Sequence, residues 1–203
     1  MTITFAKSRS SSASARGFTL VELAIVVTII GILATIGIYS VYKYIQHAKA
    51  SEAAEIVGSI KAGQEAYYDE TFQYLPIGGN SPNAYYPADP STASGKIKIQ
   101  WGAASPTGCT DCGTRYAALG VVPAAPVIFR YSCYVGAAGG NPGTAGKPTK
   151  AVYSPNPFAA ATSASQAFYV VNAVSDLDGD GGVMSVVVGS NLMGDLYSEN
   201  IGR

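Results

Sequence analysis

The sequence predicts an α+β fold: one long N-terminal helix, half of it transmembrane, packed on an antiparallel sheet of three or four strands. Residues 18–38 form an apolar run with a single charge, and a helix needs about 20 such residues to cross a bilayer. Residues 39–74 contain no proline and continue a helical spacing of apolar side chains. Three later segments are rich in β-branched and aromatic residues, as strands are. A long helix followed by several strands gives an α+β domain, because each element must bury an apolar face.

The first 17 residues are expected to form a leader. Residues 1–16 are rich in serine, contain Lys7, Arg9 and Arg16 but no acid, and have no apolar core like that of a secretory signal. An ordinary secretory signal is cut after its apolar stretch, whereas here the small residue Gly17 precedes that stretch. A cut after Gly17 would therefore leave the apolar run on the mature protein. Basic residues before the helix and few after it place the leader on the cytoplasmic side.

The predicted helix has a transmembrane part, residues 18–39, and an amphipathic continuation, residues 40–74. Glu22 lies inside the transmembrane part, where a lone carboxylate costs roughly 2.5–3.5 kcal/mol, so we expect it to have a function. In the continuation, apolar side chains fall near one helical face: Ile45, Ile56, Val57, Ile60 and Tyr67. Prolines and glycines at positions 76–82 then end the helix.

Two glycines, Gly58 and Gly63, lie inside the continuation, where each costs about 1 kcal/mol relative to alanine. We expect them to be there because the helix packs closely on the sheet. Local flexibility of the helix is the alternative explanation.

Residues 75–126 are predicted to form a long, irregular connection between helix and sheet. They are rich in Pro, Gly, Ala, Ser and Tyr and show little periodicity. Within them, residues 96–101 alternate in a way that predicts a short strand.

The sheet is expected within residues 127–190, with strands at 127–135, 167–174 and 183–188. The link between the last two strands is short, which predicts an antiparallel hairpin. Residues 191–203 are expected to form a C-terminal loop that lies on the sheet.

The N-terminal segment resembles that of the type IV pilin and type II secretion pseudopilin family. The residues that carry the resemblance are a charged leader, the sequence GFTLVE at positions 17–22, and the Ile/Val-rich run after it. The resemblance covers about the first third of the chain and implies a pilin-like fold. It also implies a prepilin peptidase that cuts after Gly17 and methylates the new N-terminal amine of Phe18. In the family's fibres, Glu22 would pair with the N-terminal amine of a neighbouring subunit.

One position departs from the pattern of the family. Many major type IV pilins have a proline where the apolar run ends, and this chain has Tyr39 there. The departure leaves three members of the family open, namely a major pilin, a minor pilin and a pseudopilin.

Cys109, Cys112 and Cys133 make an odd number of cysteines. In an oxidising compartment this predicts one disulfide and one spare thiol. The spacing leaves all three pairings open, and we expect Cys133 to pair with Cys109 or Cys112. A redox role is less favoured because no thioredoxin-like βαβ pattern surrounds the Cys-x-x-Cys. A zinc site would need a fourth ligand, and the only histidine, His47, lies in the N-terminal helix.

The last predicted hairpin contains an acidic loop at residues 176–181. Its pattern, Asp176-x-Asp178-x-Asp180-Gly, matches the first half of an EF-hand loop, in which carboxylates at positions 1, 3 and 5 bind Ca²⁺. Position 12 would be Val187 instead of the bidentate glutamate, so the loop is not a true EF-hand. Asp176, Asp178 and Asp180 are therefore candidate calcium ligands, and a solvated Asp/Gly turn without metal is the alternative.

The composition excludes several classes of function. Lys+Arg and Asp+Glu are 13 each and form no basic patch, so we expect no binding to nucleic acid. No catalytic motif is present, so we do not expect an enzyme, and no cofactor is required beyond a possible Ca²⁺.

The function expected from the resemblance is that of a structural subunit of a type IV pilus filament, serving adhesion or motility. Its partners would be copies of itself and other pilins, the prepilin peptidase, the inner-membrane assembly machinery and the membrane. It would begin as a single-pass precursor in the bacterial inner membrane and end in the pilus at the cell surface. The alternatives are a pseudopilin of a type II secretion system, located in a periplasmic pseudopilus, and a monomeric membrane-tethered binding protein.

Overall fold

The structure, a computed structural model, describes residues 17–87, 97–102, 109–149, 151, 153–159, 163–177, 179, 181–182 and 184–201. The chain divides into two compact units, Met1–Ser40 and Val41–Arg203. Helix α1, Leu20–Thr71, begins in the first unit and ends in the second.

The described part of the first unit is the apolar start of α1. Every described residue from position 17 to position 40 is exposed. Within the described residues, α1 is the one helix that is long and apolar enough to cross a membrane.

In the second unit, α1 packs on the sheet through a stripe of side chains spaced at three, four or seven residues, as one helical face requires: Gln46, Ala53, Val57, Ile60 and Gln64. The helix ends three residues before the expected position 74, because Phe72 adopts a φ of 58°. The Phe72 N–H still donates to the Tyr68 carbonyl (2.8 Å), as at many helix C-termini.

Four antiparallel strands follow in the order β1-β2-β3-β4, so each strand pairs with its neighbour in sequence. They are β1, Arg130–Gly136; β2, Phe168–Ser175; β3, Ser185–Ser190; and β4, Tyr197–Glu199. The register places Cys133 of β1 opposite Val171 of β2, and Val171 opposite Gly189 of β3. A long N-terminal helix packed on a four-stranded antiparallel sheet confirms the predicted fold class.

Both faces of the central strands are covered, and every residue of β2 and β3 is buried. On one face Tyr169, Val171 and Ala173 of β2 share a core with α1. On the other, Val170 and Val174 share a second core with side chains from the β1–β2 connection. This double coverage explains why the strand sequences are nearly continuous apolar runs without alternation.

Several elements differ from the sequence predictions. The expected C-terminal loop contains β4, and the expected irregular connection contains helix α2, Cys112–Ala118. A further short helix, α3, Pro142–Ala145, lies between β1 and β2. Strand β1 begins three residues late because Val127 exchanges backbone hydrogen bonds with Ile99 (2.9 Å each) instead of with β2. In the described part of the predicted strand at 96–101, this single bridge is the only β pairing.

The two helix glycines have different surroundings. A Cβ on Gly63 would lie 2.3 Å from the carbonyl oxygen of Leu119, the residue after α2, so close packing does explain Gly63. The close neighbour is this backbone and not the sheet. A Cβ on Gly58 would meet nothing within 4 Å, so the packing explanation is wrong for Gly58.

The outer edge of β1 is hydrogen-bonded by the segment that follows α1. Tyr86 and Tyr131 exchange two backbone hydrogen bonds (2.9 and 2.8 Å). The side-chain amide of Asn80 donates to the Val135 carbonyl (2.8 Å) and accepts from the Val135 N–H (2.7 Å).

Candidate functional site

The N-terminal site comprises Gly17, Phe18, Thr19 and Glu22, at the start of α1. Gly17 is exposed, and a Cβ there would meet nothing within 4 Å, so its backbone is open to approach. The Phe18 side chain is 85% exposed. The bond between Gly17 and Phe18 therefore lies in accessible backbone immediately before a helix.

Glu22 caps the helix that it belongs to. Its Oε2 accepts from the Thr19 N–H (3.0 Å) and from the Thr19 hydroxyl (2.8 Å), while the Glu22 N–H donates to Thr19 Oγ1 (3.2 Å). This reciprocal pattern is a capping box, which satisfies N–H groups that the first helical turn leaves free. Both of these hydrogen bonds to the carboxylate are accepted by Oε2. Because Glu22 is exposed, its other oxygen, Oε1, is accessible to a further donor.

Thr19 is a residue of the site that the sequence reasoning missed. The signal was present, since Ser/Thr followed three residues later by Glu marks a capping box at a helix start. Thr19 holds the Glu22 carboxylate at the helix N-terminus, where the helix dipole favours negative charge.

A continuous apolar surface follows this site. The large apolar side chains from Leu20 to Ile45 are all at least two-fifths exposed, from 85% for Leu20 to 41% for Tyr42. Exposed apolar surface of this extent is a site for lipid or for other protein chains.

The acidic loop is described in part. Asp176 is 7% exposed, and its carboxylate accepts from the N–H groups of Gly179 (2.8 Å) and Gly181 (3.2 Å). Both glycines have positive φ, 79° and 71°, which the tight loop requires. The other two predicted ligands, Asp178 and Asp180, lie outside the described residues.

The loop is attached to α1. The Gln46 side-chain amide, 2% exposed, donates to the Leu177 carbonyl (3.4 Å). Among the residues that the structure describes, no group of three or more His, Cys, Asp or Glu side chains is placed to hold a metal ion.

The cysteines pair differently from the expectation. Cys109 and Cys112 form a disulfide, with Cα atoms 5.4 Å apart, and Cys133 is a buried free thiol. The predicted bond from Cys133 to Cys109 or Cys112 is therefore wrong for this structure. The physical reason is that Cys133 lies in β1, where its side chain faces α1 and accepts a hydrogen bond from Gln64 Nε2 (3.3 Å).

Comparisons with known proteins match the N-terminal segment. Residues 12–38 match the family model described as the prokaryotic N-terminal methylation motif. The chain is 44% identical over 59 residues to the type IV major pilin protein PilA of Myxococcus xanthus, covering 29% of this chain and 27% of that protein. It is 42% identical over 55 residues to the fimbrial protein EcpC of Eikenella corrodens, covering 27% of this chain and 36% of that protein. No solved structure matches the chain.

These matches all concern the N-terminal segment of the chain. The motif places the chain among proteins with an N-terminal methylation segment. Over that segment the chain is similar to a type IV major pilin and to a fimbrial protein. The matched part spans only about a quarter to a third of the length of these relatives.

Proposed function

We propose that this chain is a structural subunit of a type IV pilus, made as a membrane-anchored precursor and polymerised through the N-terminal part of α1. The observation that carries the proposal is the uncovered apolar surface of residues 20–45, which begins within the methylation motif at residues 12–38 and extends beyond it. Packing that surface against other helices would keep it out of water once the chain leaves the bilayer, and each Å² of apolar area kept from water is worth about 25 cal/mol.

The first step would be removal of the leader. A prepilin peptidase would cut the exposed bond after Gly17 and methylate the new amine of Phe18. The small side chain at Gly17 lets an active site at the membrane surface approach the backbone closely.

Glu22 would then guide docking. In the precursor, its Oε2 is engaged by Thr19. Its Oε1 would accept from the N-terminal amine of Phe18 on a neighbouring subunit. This pairing neutralises a carboxylate that is costly in lipid and fixes the axial position of the incoming chain. Because the contact is head-to-tail, repeated docking gives an open helical fibre.

A pseudopilin of a type II secretion system is the second candidate, and Tyr39 favours it. The α1 backbone continues as helix through position 39, where many major pilins carry proline. A monomeric membrane-tethered binding protein is a weaker candidate, because it needs neither a methylation motif nor an intramembrane carboxylate. Adhesion or motility would be the role of the pilus.

The test is intact-mass and N-terminal analysis of protein sheared from the cell surface, with stoichiometry. An abundant species that begins at methylated Phe18 supports the pilus subunit. The same species confined to the inner membrane supports the pseudopilin. An unprocessed Met1 chain in both fractions contradicts both.

We also propose that the acidic loop binds Ca²⁺ through Asp176, Asp178 and Asp180, with backbone carbonyls and water completing the shell. The support is that the Asp176 carboxylate faces the loop, where it accepts hydrogen bonds from the N–H groups of Gly179 and Gly181. This bond pattern is also that of a metal-free Asx turn. Calcium is expected to raise the melting temperature of the wild type but not of Asp178→Asn, with Mg²⁺ as the control cation. Equal melting temperatures in calcium and in chelator would remove calcium from the proposal.

A further inference from the structure

Gln46 is the first buried residue of helix α1, since every described residue before it, from position 17 to position 45, is exposed. Its side chain contacts the acidic loop between β2 and β3. The carboxamide Nε2 donates to the carbonyl of Leu177 (3.4 Å), which lies 131 residues away in sequence. Because Gln46 is only 2% exposed, a polar side chain is buried where α1 meets the acidic loop.

The oxygen of the same carboxamide, Gln46 Oε1, is buried and accepts no hydrogen bond from the residues that the structure describes. Turning the carboxamide over does not help, because Oε1 would then face the Leu177 carbonyl and two acceptor oxygens would meet. The Leu177 carbonyl therefore fixes which end of the carboxamide is the oxygen. A buried acceptor without a partner is destabilising, so this oxygen needs either a hydrogen-bond donor or a cation.

Gln64 shows that a buried glutamine of this helix can satisfy both ends of its carboxamide. It lies about five helical turns after Gln46 and faces the same direction, and it is 0% exposed. Its Nε2 donates to the Leu75 carbonyl (2.8 Å), and its Oε1 accepts from the Leu75 N–H (2.9 Å). Burial in α1 therefore does not by itself leave a carboxamide oxygen without a partner.

The acidic loop supplies the chemistry that selects a cation. Asp176, the residue before Leu177, is 7% exposed, and its carboxylate accepts from the N–H groups of Gly179 (2.8 Å) and Gly181 (3.2 Å). Calcium takes roughly six to eight oxygen ligands, among them carboxylates and the carboxamide oxygens of asparagine and glutamine. A divalent cation is therefore the partner that the negative charge of this loop favours for the Gln46 oxygen.

We propose that Oε1 of Gln46 is a ligand of the Ca²⁺ proposed for the acidic loop, so that α1 forms the metal site together with the connection between β2 and β3. The inference rests on the calcium part of the proposed function and deepens it. Calcium would then join two segments that are 131 residues apart and hold the loop against the helix. A loop that bound calcium through its own residues alone would have no such effect on α1.

The test is thermal melting of the detergent-solubilised full chain in calcium and in chelator. The wild type is expected to melt at a higher temperature in calcium. Gln46→Met should lose most of this increment, because methionine keeps the size of glutamine without a ligand oxygen. Calorimetric titration with calcium chloride should show binding about tenfold weaker in Gln46→Met than in the wild type.

Gln64→Met is the matched control, because it removes an equally buried carboxamide from the same face of α1. Both carboxamide atoms of Gln64 are engaged by Leu75. This variant should therefore melt at a lower temperature in calcium and in chelator alike, and the calcium increment should stay that of the wild type.

Gln46→Glu separates the oxygen from the hydrogen bond to Leu177. It keeps an oxygen ligand but loses the donor, so it should melt below the wild type in chelator and gain a calcium increment at least as large as that of the wild type. A purely structural Gln46 predicts an equal loss in both media for both variants. Hydrogen exchange gives a second measurement: calcium should slow exchange of the α1 amides around position 46 in the wild type but not in Gln46→Met.

The outcomes separate this inference from the calcium proposal. A full calcium increment in Gln46→Met overturns the inference, leaves calcium in the loop, and assigns the Gln46 oxygen to a water molecule. No increment in the wild type overturns both. If Gln46→Met does not fold, Gln46→Glu decides, because a retained increment supports the inference and a lost one overturns it. None of these results affects the proposal of a pilus subunit.

Discussion

At the scale of single residues, Cys133 is held as a neutral thiol. Burial raises its pKa from an ordinary value of 9.0 to about 12, although the hydrogen bond from Gln64 acts in the opposite direction. The thiolate is the reactive form of cysteine, so Cys133 should be inert in the folded chain.

The raised pKa makes stability depend on pH. Above about pH 9 the unfolded chain loses the Cys133 proton while the folded chain keeps it, so the free energy of unfolding falls as pH rises, by up to about 1.4 kcal/mol per pH unit. Urea unfolding at about pH 8 and about pH 10 should show this decline, and Cys133→Ala should reduce it. The buried tyrosines add a decline at higher pH that both proteins share. Equal slopes for the two proteins below about pH 10 would refute the assignment.

The disulfide pairing can be read by peptide mapping. Trypsin cuts after Lys98 and Arg115, so one peptide contains both Cys109 and Cys112. Without reductant, we expect that peptide to carry an internal disulfide and the peptide with Cys133 to be a free thiol, alkylated only after unfolding. A species that joins the two peptides would restore the original expectation.

The burial of Arg130 could not be predicted from the residue types in the sequence. It is 1% exposed, and its guanidinium donates to the carbonyls of Ile128 (2.5 Å) and Ile97 (3.3 Å). Burial lowers its pKa from the ordinary value. Arginine is seldom fully buried, so sequence gave no reason to place it inside. Its partners are backbone carbonyls, which leave no trace in residue types.

At the scale of elements, long apolar patterns in the sequence predicted helices and strands correctly, whereas short segments showed no usable pattern. Helix α1 and strands β2 and β3 follow from extended apolar runs that only a helix or a covered strand can bury. Strand β4 has three residues and α2 has seven, too few to show a period. The motif at positions 17–22 predicted the N-terminal site, whereas the burial of Cys133 as a free thiol depends on a contact with Gln64, 69 residues away in sequence.

The two helix glycines give a matched pair of substitutions. Gly63→Ala should destabilise the protein by about 1–2 kcal/mol, because overpacking against the Leu119 backbone outweighs the gain in helix propensity. Gly58→Ala should stabilise the detergent-solubilised chain by up to about 1 kcal/mol, because its surroundings are open. Thermal melts of both variants and wild type measure the difference. Loss of stability in both would contradict the surroundings described for Gly58.

At the scale of the whole molecule, the proposed assembly would depend on one carboxylate, Glu22, at the start of the apolar surface. Glu22→Val should remain in the membrane and still be cleaved after Gly17, but should give few or misregistered fibres. The matched control is Thr28→Val, since the Thr28 hydroxyl only donates within its own helix, to the Ala24 carbonyl (2.8 Å). Immunoblots of the membrane and sheared fractions measure precursor cleavage and the amount of fibre for both variants. Wild-type amounts of regular fibre from Glu22→Val would contradict the proposed docking role of Glu22.

The hydrogen bonds on the outer edge of β1 bear on how such a molecule behaves when crowded. Identical chains packed side by side are the condition in which an open strand edge recruits another strand and starts cross-β stacking. Here Tyr86 engages the backbone of Tyr131, and the Asn80 amide imitates a strand partner for Val135. With these positions taken, Tyr131 and Val135 on the β1 edge of the sheet are not free to pair with a strand of another copy.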